Sequence, residues 1–241
     1  MILECDIGNT ACKWRVINKD GDILDRGWLK HAEQGFEVFK AIYELSRVKV
    51  VSVAGEAVNS RLSAEIERNH SLSVEWAKTS NEVAGVTNAY RNAGGLGVDR
   101  WAGLVAAYQI IKGPLLVVDA GSAITVDVVG GDGCHQGGYI VPGLSLMKSA
   151  LLKDTQGVRL ANERQVKGIH FGVSTDQAVH SGVRAAMLGV VLAARSEVER
   201  LYPKGYSFLL TGGDGKQLLN YFDDASWQPD LVLDGLKWLL P

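Results

Sequence analysis

The sequence predicts an α/β fold made of two related halves, and two observations carry this prediction. One short pattern occurs twice: an apolar run ending in aspartate, a small-residue turn and a second apolar run, over residues 2–17 and again over 115–126. Segments typical of strands and of helices also alternate through both halves, which indicates sheets that are at least partly parallel. An internal repeat of this kind predicts a duplicated domain with a cleft between the copies.

Each element of the first half follows from its own residue pattern. The first copy of the repeat predicts two strands joined by a turn. Apolar residues at helical spacing then predict helices over residues 33–47, 59–68 and 101–111. Runs of β-branched residues predict strands over 48–53 and 74–76. Gly113 and Pro114 end the last of these helices before the second copy begins.

The second half repeats the alternation, which predicts two domains, residues 1–112 and 113–241. After the second copy of the repeat come a glycine-rich return, a short helix, a long apolar helix and a strand, over residues 137–143, 147–153, 175–201 and 206–210. The long helix has apolar residues on more than one face, so we expect it to be buried in its own domain or shared with a partner.

The repeated turn has the chemistry of a phosphate site. Gly8 and Gly121 allow the backbone to adopt positive φ and to approach a ligand, so that backbone N–H groups can face phosphate oxygens. Asp6 and Asp119, each two residues before the glycine, would supply hard oxygen ligands for a cation. Two ordinary hairpins with Asx turns are the alternative. The recurrence of both the aspartate and the glycine favours nucleotide binding.

Composition excludes several classes of function. The net charge is −2 over 241 residues and no basic run or basic-aromatic stripe occurs, so we expect no nucleic-acid partner. The acidic first residues and the lack of a continuous apolar span predict a cytoplasmic protein with no membrane partner. The three cysteines are expected to be structural thiols, the five histidines have no zinc-ligand spacing, and His135 is interpreted as a loop residue.

Three further constellations each allow a functional and a structural interpretation. Asp99 and Arg100 are either a helix N-cap with a solvated neighbour or, in a kinase, a general base beside a carboxylate-binding guanidinium. Tyr90 would lie beside the substrate or simply pack. The turn over residues 211–214 would hold an adenine on its glycines or simply enter a helix, and Thr175 has the pattern of a helix N-cap.

Five motifs in this order resemble those of type III pantothenate kinases, and the resemblance extends nearly end to end, as far as residues 229–236. The motifs occupy residues 6–10, 97–100, 119–125, 138–143 and 211–214. The resemblance implies the duplicated actin-like fold, with ribonuclease H-like domains whose mixed sheets are flanked by helices. It also implies the reaction of ATP with pantothenate to give ADP and 4′-phosphopantothenate, which opens coenzyme A biosynthesis.

The resemblance assigns site residues by position. The first phosphate loop corresponds to Asp6, Ile7, Gly8, Asn9, Thr10, Ala11, Cys12 and Lys13, with a second nucleotide contact at Ser122. Asp99 corresponds to the general base. Pantothenate contacts are implied for Tyr90, Gly97, Val98, Asp99, Arg100 and Thr175. Asp119 corresponds to the ligand of a monovalent cation, K⁺ or NH₄⁺, and Asp6 would engage the Mg²⁺ of the nucleotide directly or through water.

The implied partners are ATP, pantothenate and a second copy of the chain. In the implied homodimer the pantothenate pockets lie at the two-fold interface, so Thr175 of one chain would complete the pocket that holds Asp99 of the other. Two other classes stay open. A non-catalytic relative would keep the fold as an accessory or regulatory binding protein, although Asp99 and Arg100 are intact. An actin-like or chaperone-like ATPase would need a much longer chain.

Overall fold

The computed structural model describes residues 1–31, 35–41, 44–154 and 168–241, and they form two compact units. The first unit contains Met1–Lys112, Gly133–His135 and Asp230–Pro241. The second contains Gly113–Asp132 and Gln136–Pro229. As domain boundaries, residues 1–112 and 113–241 stay a prediction. As packing units, residues 133–135 and 230–241 belong with the first part of the chain.

The elements are numbered in chain order. The strands are β1 (Ile2–Ile7), β2 (Cys12–Ile17), β3 (Ile23–Leu29), β4 (Arg47–Ser52), β5 (Val74–Trp76), β6 (Glu82–Val83), β7 (Val86–Thr87), β8 (Leu115–Ala120), β9 (Ala123–Val129), β10 (His135–Pro142), β11 (Ser207–Thr211) and β12 (Ala225–Trp227). The α-helices are α1 (Glu56–His70), α2 (Val98–Ile111), α3 (Leu144–Asp154), α4 (Thr175–Leu201), α5 (Gly215–Leu218) and α6 (Leu231–Leu239). Two 3₁₀ helices lie at Glu37–Ala41 and Ala93–Gly95.

The first unit is built on a five-stranded mixed sheet in the order β3-β2-β1-β4-β5. β1 pairs with β2 antiparallel and with β4 parallel, so the repeated pattern forms the centre of the sheet. One side of the sheet buries an apolar core that includes Leu3, Cys5 and Leu62. A second cluster joins Val51 of β4 and Ala102 of α2 to Leu233 of α6. Helix α6 therefore completes the core of a unit whose other strands and helices all lie before residue 112.

The second unit has an equivalent sheet in the order β10-β9-β8-β11-β12. β8 pairs with β9 antiparallel and with β11 parallel, as β1 pairs with β2 and β4. Helix α4 packs on this sheet through a stripe of buried residues three or four positions apart, namely Val179, Val183, Met187, Val191, Ala194 and Val198. α4 is long and apolar enough to cross a membrane by length and composition, but a core helix passes the same test.

Most predicted elements are present, with one local exception. The strands of both repeats, β4, β5 and β11 and the helices α1, α2 and α4 all occupy the expected regions. The helix predicted over residues 33–47 is wrong at its end, because β4 begins at Arg47 and a 3₁₀ helix covers Glu37–Ala41. Residues 33, 34, 42 and 43 of that prediction lie outside the described part of the chain.

Candidate functional site

The first copy of the repeat places Asp6 at the penultimate position of β1, just before a four-residue turn. The Gly8 N–H donates to the Ala11 carbonyl across this turn at 2.9 Å. Asn9 and Thr10 are exposed at its tip. Gly8 does not adopt the positive φ that glycine allows, and a Cβ on it would meet only the Ala11 carbonyl oxygen, at 3.6 Å. The glycine therefore leaves space above the turn and is not required by the backbone conformation.

The predicted phosphate loop is divided between surface and core. Ile7 and Cys12 are fully buried in the core of the first unit, so only their backbone atoms are placed to reach a ligand. Burial also raises the pKa of the neighbouring Cys5 thiol well above its usual range, as expected of a structural thiol. The Lys13 ammonium is 2.7 Å from the Asp230 carboxylate, at the entry to α6. The loop residues open to a ligand are thus Gly8, Asn9, Thr10 and Ala11.

The second copy of the repeat places Asp119 at the penultimate position of β8, followed by a turn of only two residues. The Gly121 N–H donates to the Ala123 carbonyl at 2.9 Å. Ser122 is exposed, and its carbonyl accepts from the Gly143 N–H at 3.0 Å. Gly121 likewise does not adopt positive φ. The second turn is therefore shorter than the first and is braced by the segment that enters α3.

The turn after β11 packs against the same end of β8. Thr211 is opposite Asp119 in the parallel register, and Gly212 has φ +86°. A Cβ on Gly212 would collide with the Asp119 carboxylate and the Ala120 carbonyl, so only glycine fits. The Asp214 N–H donates to the Ala120 carbonyl at 2.8 Å. Burial raises the pKa of Asp214, while Lys148 and Arg184 act in the opposite direction.

Asp99 lies within the first turn of α2 and is not its N-cap. The cap position is Gly97, which offers no side chain, and the Asp99 Oδ1 accepts from the Arg100 N–H at 2.7 Å. A Cβ on Gly97 would lie only 2.6 Å from that carboxylate oxygen. A negative charge is favoured at this end of a helix. Gly97 and the start of α2 therefore fix the Asp99 carboxylate in place.

Arg100 and Tyr90 form one cluster beside Asp99. The Arg100 Nη1 donates to the Tyr90 hydroxyl at 3.1 Å, and the guanidinium carbon is 5.8 Å from the centre of the tyrosine ring. Arg100 is only 8% exposed, although its side chain is charged. The backbone N–H of Tyr90 donates to the Asn88 side chain at 2.9 Å, which fixes the backbone at Tyr90. The predicted substrate-binding residues of the first unit are thus brought together.

His135 also belongs to this cluster and was not predicted. The interpretation of His135 as a loop residue is wrong, because it begins β10, is 3% exposed and stacks on Tyr90 with ring centres 6.1 Å apart. Because the neighbours of this histidine are mostly glycines, no periodic pattern of apolar residues indicates that it is buried. Its position depends on contacts with residues more than forty positions away.

Thr175 is the first residue of α4 in the second unit. The predicted N-cap is displaced by one residue, since the Ser174 hydroxyl oxygen accepts from the Gln177 N–H at 3.3 Å. Thr175 is exposed. Just before it, Phe171 and Val173 are almost fully exposed apolar side chains. The hydroxyl of Thr175 is therefore available to a ligand and is not used as the cap.

The candidate metal ligands are single carboxylates. Within the described ranges, no group of three His, Cys, Asp or Glu side chains is arranged to hold a metal ion. One carboxylate together with phosphate oxygens and water is the usual environment of Mg²⁺ at a nucleotide, so Asp6 fits such an ion. The Asp119 carboxylate lies near Gly212 and the Ala120 carbonyl, which already accepts from the Asp214 N–H.

Solved structures share this fold. A Campylobacter jejuni protein provisionally described as a Baf family transcriptional activator has a TM-score of 0.63 and 28% identity, covering 98% of this chain and 95% of that chain. A Sinorhizobium meliloti protein provisionally described as a 2-dehydro-3-deoxygalactonokinase has a TM-score of 0.54 and 14% identity, covering 98% and 97%. The expected duplicated, actin-like α/β fold is thereby confirmed.

Sequence comparison identifies the family. The profile of type III pantothenate kinase matches residues 2–196. The type III pantothenate kinase of Ectopseudomonas mendocina is 34% identical over 100% of this chain and 99% of its own length. That of Pseudomonas paraeruginosa is 35% identical with the same coverage. On a family match over most of the chain and on full-length identity with these relatives, the chain belongs to the type III pantothenate kinase family.

Proposed function

We propose that this chain transfers the γ-phosphate of ATP to the 4′-hydroxyl of pantothenate, with Asp99 as the general base. Its family makes it an ATP-dependent pantothenate kinase of coenzyme A biosynthesis, and the assignment of residues to steps is our proposal. The observation that carries the assignment is the cluster of Asp99, Arg100 and Tyr90 at the start of α2. It joins a fixed carboxylate to a guanidinium that is suited to bind a carboxylate substrate.

The chemistry follows from this cluster. The oxygen of the pantothenate hydroxyl attacks the γ-phosphorus, and the bond from that phosphorus to the β–γ bridging oxygen breaks. ADP leaves with the bridging oxygen, and Asp99 accepts the hydroxyl proton. Arg100 pairs with the pantothenate carboxylate, while Tyr90, Gly97 and Val98 shape the pocket. Most of the acceleration in such a transfer comes from positioning and neutralisation of charge.

The two repeated turns supply the nucleotide contacts in this proposal. The first turn offers Gly8, Asn9, Thr10 and Ala11, where the lack of a Cβ on Gly8 leaves room for phosphate oxygens. The second offers the exposed Ser122 hydroxyl. Mg²⁺ would be held by Asp6 and the phosphates, where it neutralises charge that develops during transfer. Asp119 would bind K⁺ or NH₄⁺ and complete that neutralisation.

The decisive assay measures ADP release with and without pantothenate. A kinase releases ADP only when pantothenate is present, and 4′-phosphopantothenate forms in equal amount. ADP release without pantothenate would instead favour an actin-like or chaperone-like ATPase. No release under either condition would favour a regulatory binding protein, the class to which the description of the Campylobacter jejuni relative points. Because these substrates are cytoplasmic metabolites, we place the enzyme in the cytoplasm.

A homodimer is part of the proposal, and the surface of the second unit supports it. Five apolar side chains are exposed along β10, α3 and the segment before α4, namely Tyr139, Ile140, Leu146, Phe171 and Val173. Such a set is unusual for a surface that faces only water. In an isologous dimer Thr175 of one chain would complete the pocket containing Asp99 of its partner.

Complementation tests this shared pocket. Asp99→Asn and Thr175→Val, each nearly inactive alone, are refolded together so that mixed dimers form. Every mixed dimer has one pocket with both residues intact, so random pairing should recover roughly a quarter of wild-type activity. Subunit exchange is verified with tagged chains. Recovery no better than the mean of the separate variants would place Thr175 in its own chain's pocket or outside any pocket.

A further inference from the structure

The ring of His135 is part of the cluster that contains the proposed acceptor-binding residues, although the mechanism gives it no step. It is 3% exposed, and its plane is 11° from that of Tyr90 with ring centres 6.1 Å apart. This is the separation of an offset aromatic stack. An imidazole is rarely buried to this extent without a packing or functional reason.

Backbone contacts around His135 place its ring against Tyr90. The Thr87 N–H donates to the Gly133 carbonyl at 3.0 Å, and Cys134 forms a parallel bridge with Thr87. Gly133 has φ +83° and approaches the Gly85 carbonyl so closely that a Cβ would not fit. The segment that ends in His135 is therefore fixed against the β6–β7 hairpin.

The same hairpin also leads to Tyr90. The Asn88 N–H donates to the Asn81 carbonyl at 2.8 Å, and the Asn88 side chain accepts from the Tyr90 N–H at 2.9 Å. Tyr90 and His135 are thus carried by two segments attached to one hairpin. The stack on His135 restricts the χ1 rotamer of Tyr90, and that rotamer determines where the hydroxyl lies.

Tyr90 in turn orients Arg100. The guanidinium is buried, donates to the Tyr90 hydroxyl at 3.1 Å and lies 5.8 Å from the ring centre. A hydrogen bond to one nitrogen of a buried, planar guanidinium restricts the orientation of the whole group. The contacts therefore run without a gap from His135 to Tyr90 and from Tyr90 to Arg100.

We infer that His135 is a positioning residue for the acceptor: its stack on Tyr90 holds Arg100 in the orientation that binds the pantothenate carboxylate. The inference rests on the proposed function of Arg100. Because His135 acts through two other side chains, it affects binding of pantothenate and leaves the proton transfer to Asp99 nearly unchanged. A neutral ring of similar size should serve as well as imidazole, since stacking is the property used.

The test compares His135→Leu, which keeps apolar volume without a ring, with His135→Phe, which keeps the ring. His135→Leu should raise the KM for pantothenate about three- to tenfold, the effect of losing one aromatic stack. Its kcat should stay within about twofold and its KM for MgATP should not change. His135→Phe should restore the KM for pantothenate.

His70→Ala is the matched control, because His70 lies in the same unit and its Nε2 is 2.7 Å from the Phe39 carbonyl oxygen. It should alter the melting temperature without altering the KM for pantothenate. A wild-type KM for pantothenate in His135→Leu would overturn the inference. Equal changes in both KM values, or no rescue by a stably folded His135→Phe, would also overturn it.

Two further variants separate this inference from the proposed function. Arg100→Lys and Tyr90→Phe should each raise the KM for pantothenate if the acceptor binds where we propose. If they do so while His135→Leu does not, the site stands and the positioning by His135 is wrong. If neither does, the assignment of Arg100 itself is wrong.

Discussion

The two copies of the repeated hairpin have the same strand arrangement but differ in the residues that surround their turns. In both, an aspartate precedes the end of the central strand and a glycine opens the turn. The first turn has four residues with two exposed at the tip, while the second has two residues and is braced by Gly143 and Gly212. The two copies thus share the strand order and the carboxylates, while the first turn is two residues longer than the second.

The aspartates face correspondingly different neighbours. Asp6 lies opposite Lys13, whose ammonium pairs with Asp230. Asp119 lies against Gly212 and the Ala120 carbonyl, in a setting of oxygen atoms. A carboxylate beside an open turn suits a metal-bound phosphate, and a carboxylate among carbonyls suits a dehydrated monovalent cation. The same position in the two copies therefore need not have the same ligand.

The variant for which we expect the greatest loss of kcat tests whether the chemistry resides in the first unit. Asp99→Asn removes the proton acceptor and should lower kcat about 10²- to 10⁴-fold. The KM for pantothenate should change little, because Arg100 and Tyr90 are untouched. Steady-state kinetics on the purified variant checks this. A variant with wild-type kcat would leave Asp99 with only a structural task at the start of α2.

The next effect distinguishes the two aspartates from one another. Asp6→Asn should raise the KM for MgATP at least about tenfold, because a charge-assisted contact is lost. Asp119→Asn should instead reduce the gain in rate when K⁺ or NH₄⁺ replaces Na⁺. Rates are measured in the three chloride salts at equal ionic strength. Identical responses of the two variants would mean that the copies have not diverged, and equal wild-type rates in all salts would remove the cation from Asp119.

A smaller effect compares the glycines of the turns. Gly212→Ala should lower the free energy of unfolding by about 2–4 kcal/mol, because φ is positive and the Cβ would collide with Asp119. Gly213→Ala, with nothing within 4 Å of the new Cβ, is the control and should change it by less than about 0.5 kcal/mol. Thermal denaturation measures both.

Gly8→Ala extends that comparison to the first turn. Its new Cβ makes only an ordinary contact at 3.6 Å, so stability should stay within about 0.5 kcal/mol of wild type. The KM for MgATP should nevertheless rise, since the methyl group would occupy space proposed for phosphate. A large loss of stability without a change in KM would reverse this interpretation of the glycine.

The smallest effect concerns surface ion pairs. Arg195 lowers the pKa of Asp224 in the second unit, as Arg47 lowers that of Glu75 in the first. A carboxyl group whose pKa is lowered by folding stabilises the folded protein at pH values above its unfolded-state pKa. This stabilisation is lost as the pH falls through the pKa of the folded state. Asp224 is largely exposed, so Asp224→Asn should cost under about 1 kcal/mol at pH 7. The difference from wild type should disappear as the pH falls through the lowered pKa of Asp224.

Sequence patterns predicted the features that depend on local spacing and missed those that depend on packing. The repeat at Asp6 and Asp119 predicted both central hairpins, because alternation and turn residues are local signals. Gly8 and Gly121 do not adopt the positive φ that glycine allows, whereas Gly212 does. A glycine in the sequence indicates that positive φ is allowed, but only tertiary contacts decide whether the backbone adopts it.

The same distinction explains the errors at single residues. Ser174 and Thr175 are both good caps, and a sequence pattern does not fix helix starts to one residue. His135 gave no signal because its burial arises from segments distant in sequence. The Lys13–Asp230 pair, more than two hundred positions apart, was equally invisible. The motifs that predict the site residues of the first unit occur in a fixed order, and the structure brings Tyr90 and Arg100 together, while the roles of these residues stay predictions.

The packing of α6 on the first unit affects the order of folding during translation. Gly235 approaches the Ala102 backbone so closely that a Cβ would not fit, and Asp234 pairs with Arg15 at 2.7 Å. A ribosome that has completed residue 229 has made all of the second unit, yet α2 still lacks its apolar partner. Closure of such a long loop is slow. The unit whose synthesis begins first is thus the last to become complete, and until then the apolar surface of α2 that α6 covers stays exposed.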